Sequence, residues 1–224
     1  MTRKRIVLVG TGTGIGKTHL GVALVQALAA AGVEVAGLKP VESGVGTGPT
    51  DADLLTGASS FRAKQPPPYR LSAPLSPHLA APREGVTLQL PPILDWVASV
   101  EAAVLVVETA GALLSPLAPG LTNLDLTAAL EPDAIVLVAP DRLGVLHDVT
   151  AALFAMRTLK PRLPDPVVAL MAPAEADAST GTNAGELVVL GIARRVVTFP
   201  RAGVRDAVVQ ERVLVLVELM GLLE

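Results

Sequence analysis

The 224-residue sequence contains no cysteine, and aromatic side chains make up only 2% of it. Without cysteine the chain can form neither a disulfide bond nor a thiolate nucleophile. Half of the residues are hydrophobic, so the core has to be built from alanine, valine and leucine. A chain of this length can bury one sizeable core, and we predict a single domain over residues 1–224.

Long hydrophobic runs and an excess of basic charge are also missing. The longest uncharged stretches, such as residues 19–33, are shorter than the roughly 20 apolar residues that span a bilayer. The formal net charge is −3, which leaves no basic surplus to neutralise the phosphates of a nucleic acid. Residues 2–5 lead directly into the first apolar segment, so we expect no signal peptide. We therefore expect a cytoplasmic protein that binds neither nucleic acid nor membrane.

The strongest motif lies near the N-terminus, where an apolar, β-branched segment runs into Gly10-Thr-Gly-Thr-Gly-Ile-Gly-Lys-Thr18. Leu20, Leu24 and Leu28 follow at four-residue spacing, which predicts a helix. A strand, a glycine-rich loop and a helix in this order are typical of a phosphate-binding loop, whose N–H groups surround phosphate oxygens. Five residues separate Gly10 from Gly16, one more than in the usual pattern.

This loop is expected to supply most of the nucleotide contacts. Lys17 is predicted to reach the β- and γ-phosphates and to act in catalysis, while the Thr18 hydroxyl is predicted to bind Mg²⁺. The other nucleotide contacts assigned to the loop and the helix start are Thr13, Gly14, Ile15, Gly16 and His19. The alternative is a glycine-rich turn that binds nothing.

Strand-like and helix-like segments alternate along the rest of the chain. Apolar runs predict strands over residues 33–39, 102–108, 133–140, 166–171 and 195–199. Helical segments are predicted over residues 51–58, 145–159 and 204–223. This alternation is typical of an α/β fold with a mostly parallel sheet covered by helices on both faces. In such a sheet, ligands bind beyond the carboxyl ends of the strands.

Three side chains are expected at that edge because they end or follow predicted strands. Lys39 and Glu108 each end a strand, and Asp51 opens the helix that comes after the second strand. We interpret Lys39 as catalytic, and we expect Lys39→Ala to leave stability nearly unchanged, as at a surface position. Asp51 and Glu108 are interpreted with Thr18 as ligands of Mg²⁺, which prefers oxygen. A solvated lysine and a helix-capping aspartate are the alternatives.

Further segments follow the loop in a characteristic order. They are Gly37-Leu-Lys-Pro-Val-Glu-Ser-Gly44, Thr50-Asp-Ala52, Pro74-Leu-Ser-Pro-His78, Val107-Glu108-x-Ala-Gly111 and Leu143-Gly144-x-x-His147. With these segments and its phosphate loop, the sequence resembles the dethiobiotin synthetase family, which consists of P-loop NTPases of the biotin pathway.

The resemblance implies an ATP-dependent ring closure on a single P-loop NTPase domain. CO₂ would add to one amine of 7,8-diaminopelargonic acid, which gives a carbamate. The γ-phosphoryl group of ATP would pass to the carbamate oxygen, and the second amine would close the cyclic urea of dethiobiotin. ADP and phosphate would be released. Lys17 and Lys39 would flank the carbamate and the γ-phosphate.

The resemblance also implies a homodimer with its active site at the two-fold interface. The Leu143-Gly144 turn of one subunit would help to bind the substrate tail of the other. The remaining expected substrate contacts are Thr13, Lys39, Ser43 and Gly111. The nucleotide contacts expected outside the loop are Asp51, Glu108, Gly111, Pro200 and Arg201.

One departure from the family concerns the nucleobase. Relatives often carry a side-chain amide where this chain has Ala172-Pro173-Ala174, and Pro173 also lacks a backbone N–H. We therefore expect weak discrimination, with GTP or CTP supporting turnover within about tenfold of ATP.

The rival interpretation is a partitioning or membrane-positioning ATPase of the same superfamily, which acts by nucleotide-gated dimerisation. Such proteins carry a second lysine at the position of Gly12 and use basic surfaces or a basic C-terminal helix. Here the C-terminal segment reads Glu-Leu-Met-Gly-Leu-Leu-Glu over residues 218–224, without a basic residue. A cofactor-pathway amidoligase of this fold would need a glutamine-handling domain, for which 224 residues leave no room.

Overall fold

A computed structural model describes residues 3–221 of the chain. The strands in this part are β1 (Lys4–Gly10), β2 (Val35–Leu38), β3 (Val41–Ser43), β4 (Tyr69–Leu71), β5 (Val104–Glu108), β6 (Pro116–Ala118), β7 (Leu121–Thr122), β8 (Ala134–Pro140), β9 (Val167–Met171) and β10 (Val196–Phe199). The helices are α1 (Lys17–Ala30), α2 (Asp51–Ala58), α3 (Pro77–Arg83), α4 (Leu90–Ala98), α5 (Asn123–Ala129), α6 (Val145–Leu159), α7 (Asn183–Val189) and α8 (Ala207–Met220).

Six strands form one sheet in the order β10-β9-β8-β1-β5-β2, and every neighbouring pair in it is parallel. Two short ribbons, parallel β3-β4 and antiparallel β6-β7, lie outside it. The central strands read as continuous valine and leucine runs because both of their faces are buried. The predicted α/β architecture with a mostly parallel sheet is therefore confirmed.

Helices cover the sheet on both sides. One core cluster combines Leu24 of α1 and Val213 of α8 with the side chains of one sheet face. The second cluster packs Ile93, Leu124 and Val149, from α4, α5 and α6, against the opposite face. Burial of each such side chain stabilises the fold by roughly 1.5–3 kcal/mol, so the sheet is the rigid part on which the connecting loops are mounted.

Most predicted segments lie where the sequence indicated. The helices over 51–58 and 145–159 have the predicted bounds. The last helix is shorter than predicted, from Ala207 to Met220, and residues 222–223 of that prediction lie outside the described residues. The helices α5 and α7 and the two ribbons were not predicted from the sequence. The prediction of one domain over 1–224 stays a prediction.

Residues that follow parallel strands meet at one edge of this sheet, which is hereafter called the ligand edge. The phosphate loop leaves β1 at Gly10, Lys39 follows β2, and Glu108 ends β5. Asp141 follows β8, and the segment 172–182 follows β9. No helix within residues 3–221 combines the length and the apolarity needed to cross a bilayer.

Candidate active site

The phosphate loop wraps around the side chain of its own lysine. Lys17 is the first residue of α1, is only 5% exposed, and donates from Nζ to the carbonyl of Gly12 at 2.7 Å. A Cβ atom at Gly10 would lie 2.9 Å from Cδ1 of Ile15 and 3.1 Å from Nζ of Lys17. Gly16 has φ of 98°, which strains any other residue. The longer loop thus closes tightly because glycine occupies both of these positions.

Lys39 joins two acidic residues that come from different elements. Its Nζ contacts the carboxylate of Asp51, at the start of α2, and lies 2.7 Å from Oε1 of Glu108, at the end of β5. The Thr18 hydroxyl donates to the same Glu108 oxygen at 3.0 Å. Four residues that were selected separately from the sequence are therefore connected in one network, in the order Thr18, Glu108, Lys39 and Asp51.

A cavity of about 810 Å³ lies beside the phosphate loop. On the loop side it is lined by Thr13, Gly14, Ile15, Gly16 and His19, all predicted nucleotide contacts. Its opposite wall consists of Pro140, Arg142, 171–174 and 200–203, which follow β8, β9 and β10 and include the predicted Pro200 and Arg201. The cavity is wide enough for a nucleotide, since ligand pockets are usually about 300–1,000 Å³.

The remaining predicted residues divide into two groups. Gly111, with φ of 80°, lies close to the loop, because a Cβ atom there would be 3.5 Å from Oγ1 of Thr13. Ser43 ends β3 and is half-buried. Leu143 and Gly144 do not line the cavity, and Leu143 is 75% exposed. Within one chain, the structure therefore does not bring that turn to the cavity.

A comparison with family models matches residues 4–192 to an AAA domain. The chain is 41% identical over 170 residues to the ATP-dependent dethiobiotin synthetase BioD of Caulobacter sp. (strain K31), covering 70% of this chain and 72% of that protein. It is 36% identical to BioD of Anaeromyxobacter dehalogenans (strain 2CP-C), over 83% of this chain and 84% of the relative. The chain belongs to the dethiobiotin synthetase family.

Solved structures resemble this member of the dethiobiotin synthetase family more distantly. The MinC:MinD cell division protein complex of Aquifex aeolicus matches with 12% identity and a TM-score of 0.57, over 97% of this chain and 96% of that one. A plasmid partition protein of Borrelia burgdorferi matches with 13% identity and a TM-score of 0.59, over 99% of each chain. At these identities the likeness shows the fold alone, which is that of the P-loop NTPases.

The charges in this dethiobiotin synthetase site are perturbed by burial and by one another. Burial lowers the pKa of Lys17 to about 8, with a smaller lowering from the charge of Lys39. Burial also acts to lower the pKa of Lys39, but Glu108 and Asp51 together reverse this and raise it. Burial raises the pKa of Glu108 against the opposing effect of Lys39. The site thus holds one lysine with a raised pKa, Lys39, and one whose pKa is lowered to about 8, Lys17.

The donors around Lys39 fit a divalent cation. Oε2 of Glu108 is buried and has no hydrogen-bond partner among the described residues, and Asp51 contacts the same ammonium as Glu108. No group of three or more acidic or histidine side chains that could hold a metal occurs within 3–221. The Thr18 hydroxyl, nucleotide oxygens and water would therefore complete an oxygen shell, as Mg²⁺ usually has. Such a cation would compete with Lys39 for carboxylate oxygens.

Two residues that were not selected from the sequence contact the start of α2. Glu42 is 5% exposed, and its Oε1 accepts the backbone N–H of Asp51 at 2.7 Å. Arg70, which is the ribbon partner of Glu42, lies 3.6 Å from the carboxylate of Asp53. Both were missed because the β3-β4 ribbon that brings them to α2 has only three residues in each strand.

A third missed residue is the fully buried Asn123 at the start of α5. Its Nδ2 donates to the carbonyls of Ala110 and Ala112 at 2.5 and 2.8 Å, so it fixes the turn that contains Gly111. A lone asparagine thirteen residues away from its partner in sequence gives no local signal for this role.

The expectation that Lys39 behaves as a surface residue is wrong. The lysine is 6% exposed, and its partner Glu108 is 1% exposed. Removal of the ammonium would leave a buried carboxylate without its cation, which is one of the costliest changes that a protein interior can undergo.

We predict that Lys39→Ala lowers the free energy of unfolding by about 3 kcal/mol in urea denaturation at pH 7, at the lower end of the range for broken buried pairs. The double variant Lys39→Ala/Glu108→Gln should recover part of this loss because it removes the carboxylate that Lys39→Ala leaves unpaired. Lys4→Ala is the matched control, since Lys4 forms a 3.0 Å pair with Asp133 but is 39% exposed. Equal effects of Lys39→Ala and Lys4→Ala would contradict the buried pair.

The lowered pKa of Lys17 predicts pH-dependent nucleotide binding. Phosphates bind the protonated lysine, and the protonated fraction falls as pH rises through about 8. The affinity for ADP, measured by calorimetry, should therefore decrease above pH 8, and the decrease should approach about tenfold per pH unit. In this range each binding event should also take up a proton. Lys17→Gln should bind ADP weakly, with no such trend. An unchanged affinity between pH 7 and pH 9.5 in the native chain would argue against this assignment.

Proposed function

We propose that this chain converts 7,8-diaminopelargonic acid and CO₂ into dethiobiotin at the expense of ATP, in the biotin pathway. Family membership supports the reaction class, and the convergence of Lys17, Lys39, Asp51 and Glu108 at the phosphate loop is the observation that carries the proposal. A cytoplasmic location is proposed with the reaction, because its small substrates are metabolites of the cell interior.

The two lysines are proposed to act on the two charged partners of the reaction. Lys17 binds the β- and γ-phosphates from within the loop. Lys39, when released from one of its carboxylates, stabilises the negative charge on the carbamate and on the transferring phosphoryl group. Thr18, Asp51 and Glu108 would hold Mg²⁺, which supplies charge neutralisation at the phosphate oxygens.

The proposed reaction forms and breaks bonds in two steps. A carbamate oxygen bonds to the γ-phosphorus while the bond from that phosphorus to the β,γ-bridging oxygen breaks, and ADP leaves. The second amine then attacks the carbamate carbon and gives up a proton to solvent, the carbon–oxygen bond breaks, and phosphate leaves with the carbamate oxygen. Because each step concentrates charge on oxygen, the contribution of the protein is positioning and cationic stabilisation. Thr13, Ser43 and Gly111 are proposed to contact the diamine.

The cavity beside the loop is proposed to hold the nucleoside. The predicted weak base selectivity stays a prediction, and the lining supports it. Ala172, Pro173 and Ala174 offer no side-chain amide. The polar side chains among the lining residues are those of Thr13, His19, Arg142 and Arg201, none of which is a carboxamide.

Nothing in the site favours a partitioning ATPase. Gly12 stands where such proteins carry a second lysine, and its carbonyl accepts the hydrogen bond from Lys17. The distant structural likeness concerns the fold only.

The proposed reaction predicts that phosphate release requires both organic substrates. In a coupled phosphate assay with MgATP, turnover should need diaminopelargonic acid and bicarbonate together, and mass spectrometry should find one dethiobiotin for each phosphate. Lys17→Gln is the inactive control. ATP hydrolysis at the full rate without the diamine would instead support a nucleotide-gated ATPase and refute the proposal.

A homodimer is proposed with the exposed face of α6 at its interface. Phe154 of α6 is 70% exposed, and Leu143, two residues before α6 begins, is 75% exposed. Two large apolar side chains at this exposure are what a protein–protein interface needs at its centre. Together with the family resemblance, they support a site completed by the Leu143-Gly144 turn of the partner.

We predict that Phe154→Glu shifts the protein from dimer to monomer at micromolar concentration and raises the KM for diaminopelargonic acid. Sedimentation velocity measures the first effect. Leu214→Glu is the matched control, because Leu214 of α8 is 66% exposed on the opposite side of the sheet, and it should leave the dimer intact. A native chain that is fully active as a monomer would rule out the shared site.

A further inference from the structure

The turn before α6 is connected to the β9–α7 loop by a polar network whose centre, Asp141 and Asn183, is buried. Asp141, which follows β8, is 5% exposed, and its Oδ1 accepts from Nδ2 of Asn183 at 2.7 Å. Its Oδ2 accepts the backbone N–H of Gly181 at 2.9 Å, and its carbonyl accepts the Thr180 hydroxyl at 3.0 Å. Both carboxylate oxygens are therefore used within the chain, and the loop is held against the end of β8.

Asp177 extends this network to the turn itself. Its Oδ2 accepts the backbone N–H of Leu143 at 2.8 Å. Its Oδ1 accepts both the backbone N–H and the hydroxyl of Ser179, at 2.8 and 2.6 Å. These hydrogen bonds, first that of the Ser179 hydroxyl, lower the pKa of Asp177 to about 2, so the carboxylate is ionised at neutral pH. Bonds to an ionised acceptor are stronger than neutral ones, but Asp177 is exposed, so solvent reduces this advantage.

The start of α6 differs from those of two other helices in the chain. Thr50 and Thr122 cap α2 and α5 through capping boxes formed by adjacent residues. Within the described part of the chain, α6 has no side-chain cap, and its N-cap is Gly144 with φ of 94°. The turn before α6 has local backbone bonds, such as that from the Val145 N–H to the Arg142 carbonyl, and its side-chain contact comes from Asp177, 34 residues away from Leu143.

The loop that holds the turn also forms part of the nucleotide cavity. Ala172, Pro173 and Ala174 line the cavity at one end of the loop, and Arg142, which directly precedes the Leu143-Gly144 turn, lines it too. The turn is therefore presented in a fixed position relative to the nucleotide, although its Leu143 side chain points to solvent in the single chain.

We propose that Asp177 is a positioning residue for the diamine substrate. Through the backbone of Leu143 it fixes the Leu143-Gly144 turn in the conformation that receives the apolar tail of the substrate bound to the partner subunit. This inference rests on the proposed function and on the proposed dimer. It assigns to Asp177 no contact with substrate or nucleotide.

The first test is a KM-against-kcat comparison. Asp177→Asn keeps the size of the side chain but replaces one acceptor oxygen by an amide donor. It should raise the KM for diaminopelargonic acid at least tenfold and leave kcat and the KM for ATP within twofold. Asp125→Asn is the control, since Asp125 closes the capping box of α5 and pairs with Lys160 at 2.8 Å. That variant should leave all three constants within twofold.

Ser179→Ala removes a single donor from the same carboxylate and should raise the KM for the diamine by a smaller factor. It also tests the proposal if Asp177→Asn does not fold. Unchanged diamine KM in both variants, or a fall in kcat without a change in KM, would overturn the positioning role.

The second test asks in which subunit Asp177 acts. Asp177→Asn subunits are exchanged with inactive Lys17→Gln subunits, so that mixed dimers contain one site with a native Lys17 and a native turn from the partner. After mixing, a fraction of the active sites should therefore show the KM for diaminopelargonic acid of the native protein. If the native chain makes dethiobiotin but mixing restores nothing, the positioning across subunits is wrong. If the native chain makes no dethiobiotin, the proposed function fails instead.

Discussion

The buried ammonium of Lys39 between Asp51 and Glu108 is the interaction on which the ligand edge depends. Glu108 ends a central strand and is 1% exposed, so its ionised form is tolerable there only with a cation against it. Because Lys39 follows β2 and Asp51 begins α2, the contact fixes three elements relative to one another. Glu42 accepts the backbone N–H of Asp51, and Arg70 lies near Asp53, so both also contact the start of α2.

This edge carries more negative charge than its own side chains neutralise. Oε2 of Glu42 and Oε2 of Glu108 are both buried without a hydrogen-bond partner among residues 3–221. Unsatisfied buried oxygens destabilise a protein unless a ligand completes them, since each costs about 1–3 kcal/mol. The fold thus holds carboxylate oxygens where a cation can contact them, and the ammonium of Lys39 already contacts some of these oxygens. The phosphate loop holds the ammonium of Lys17 nearby. Because this charge is buried, the pKa of Lys17 is lowered.

The parts of the molecule that sequence could predict are those encoded locally. The glycine loop, the position of Lys39 after a strand, and the helix over 145–159 each follow from consecutive residues. The helices α5 and α7 were missed because each has only seven residues, too few for a clear apolar period. The burial of Lys39 was missed because a strand-end lysine has the same local sequence whether it is solvated or paired.

Contacts between distant residues account for the other omissions. Asp177 reaches Leu143 across 34 positions, and Asn183 reaches Asp141 across 42. Neither pair has a motif that one sequence reveals, because the contacts arise from the order of β8 and β9 in the sheet. The family resemblance indicated the turn at Leu143 but not what holds it.

The central claim is that the ligand edge directs the γ-phosphoryl group of ATP to a carbamate oxygen rather than to water. Bicarbonate labelled with ¹⁸O tests this directly, because the carbamate oxygen leaves with the phosphate. With diaminopelargonic acid and ATP present, the ³¹P spectrum of the first turnovers should contain phosphate that carries one ¹⁸O atom derived from bicarbonate. If the bicarbonate still carries its ¹⁸O label but the released phosphate carries none, water has accepted the phosphoryl group. That result would contradict the account.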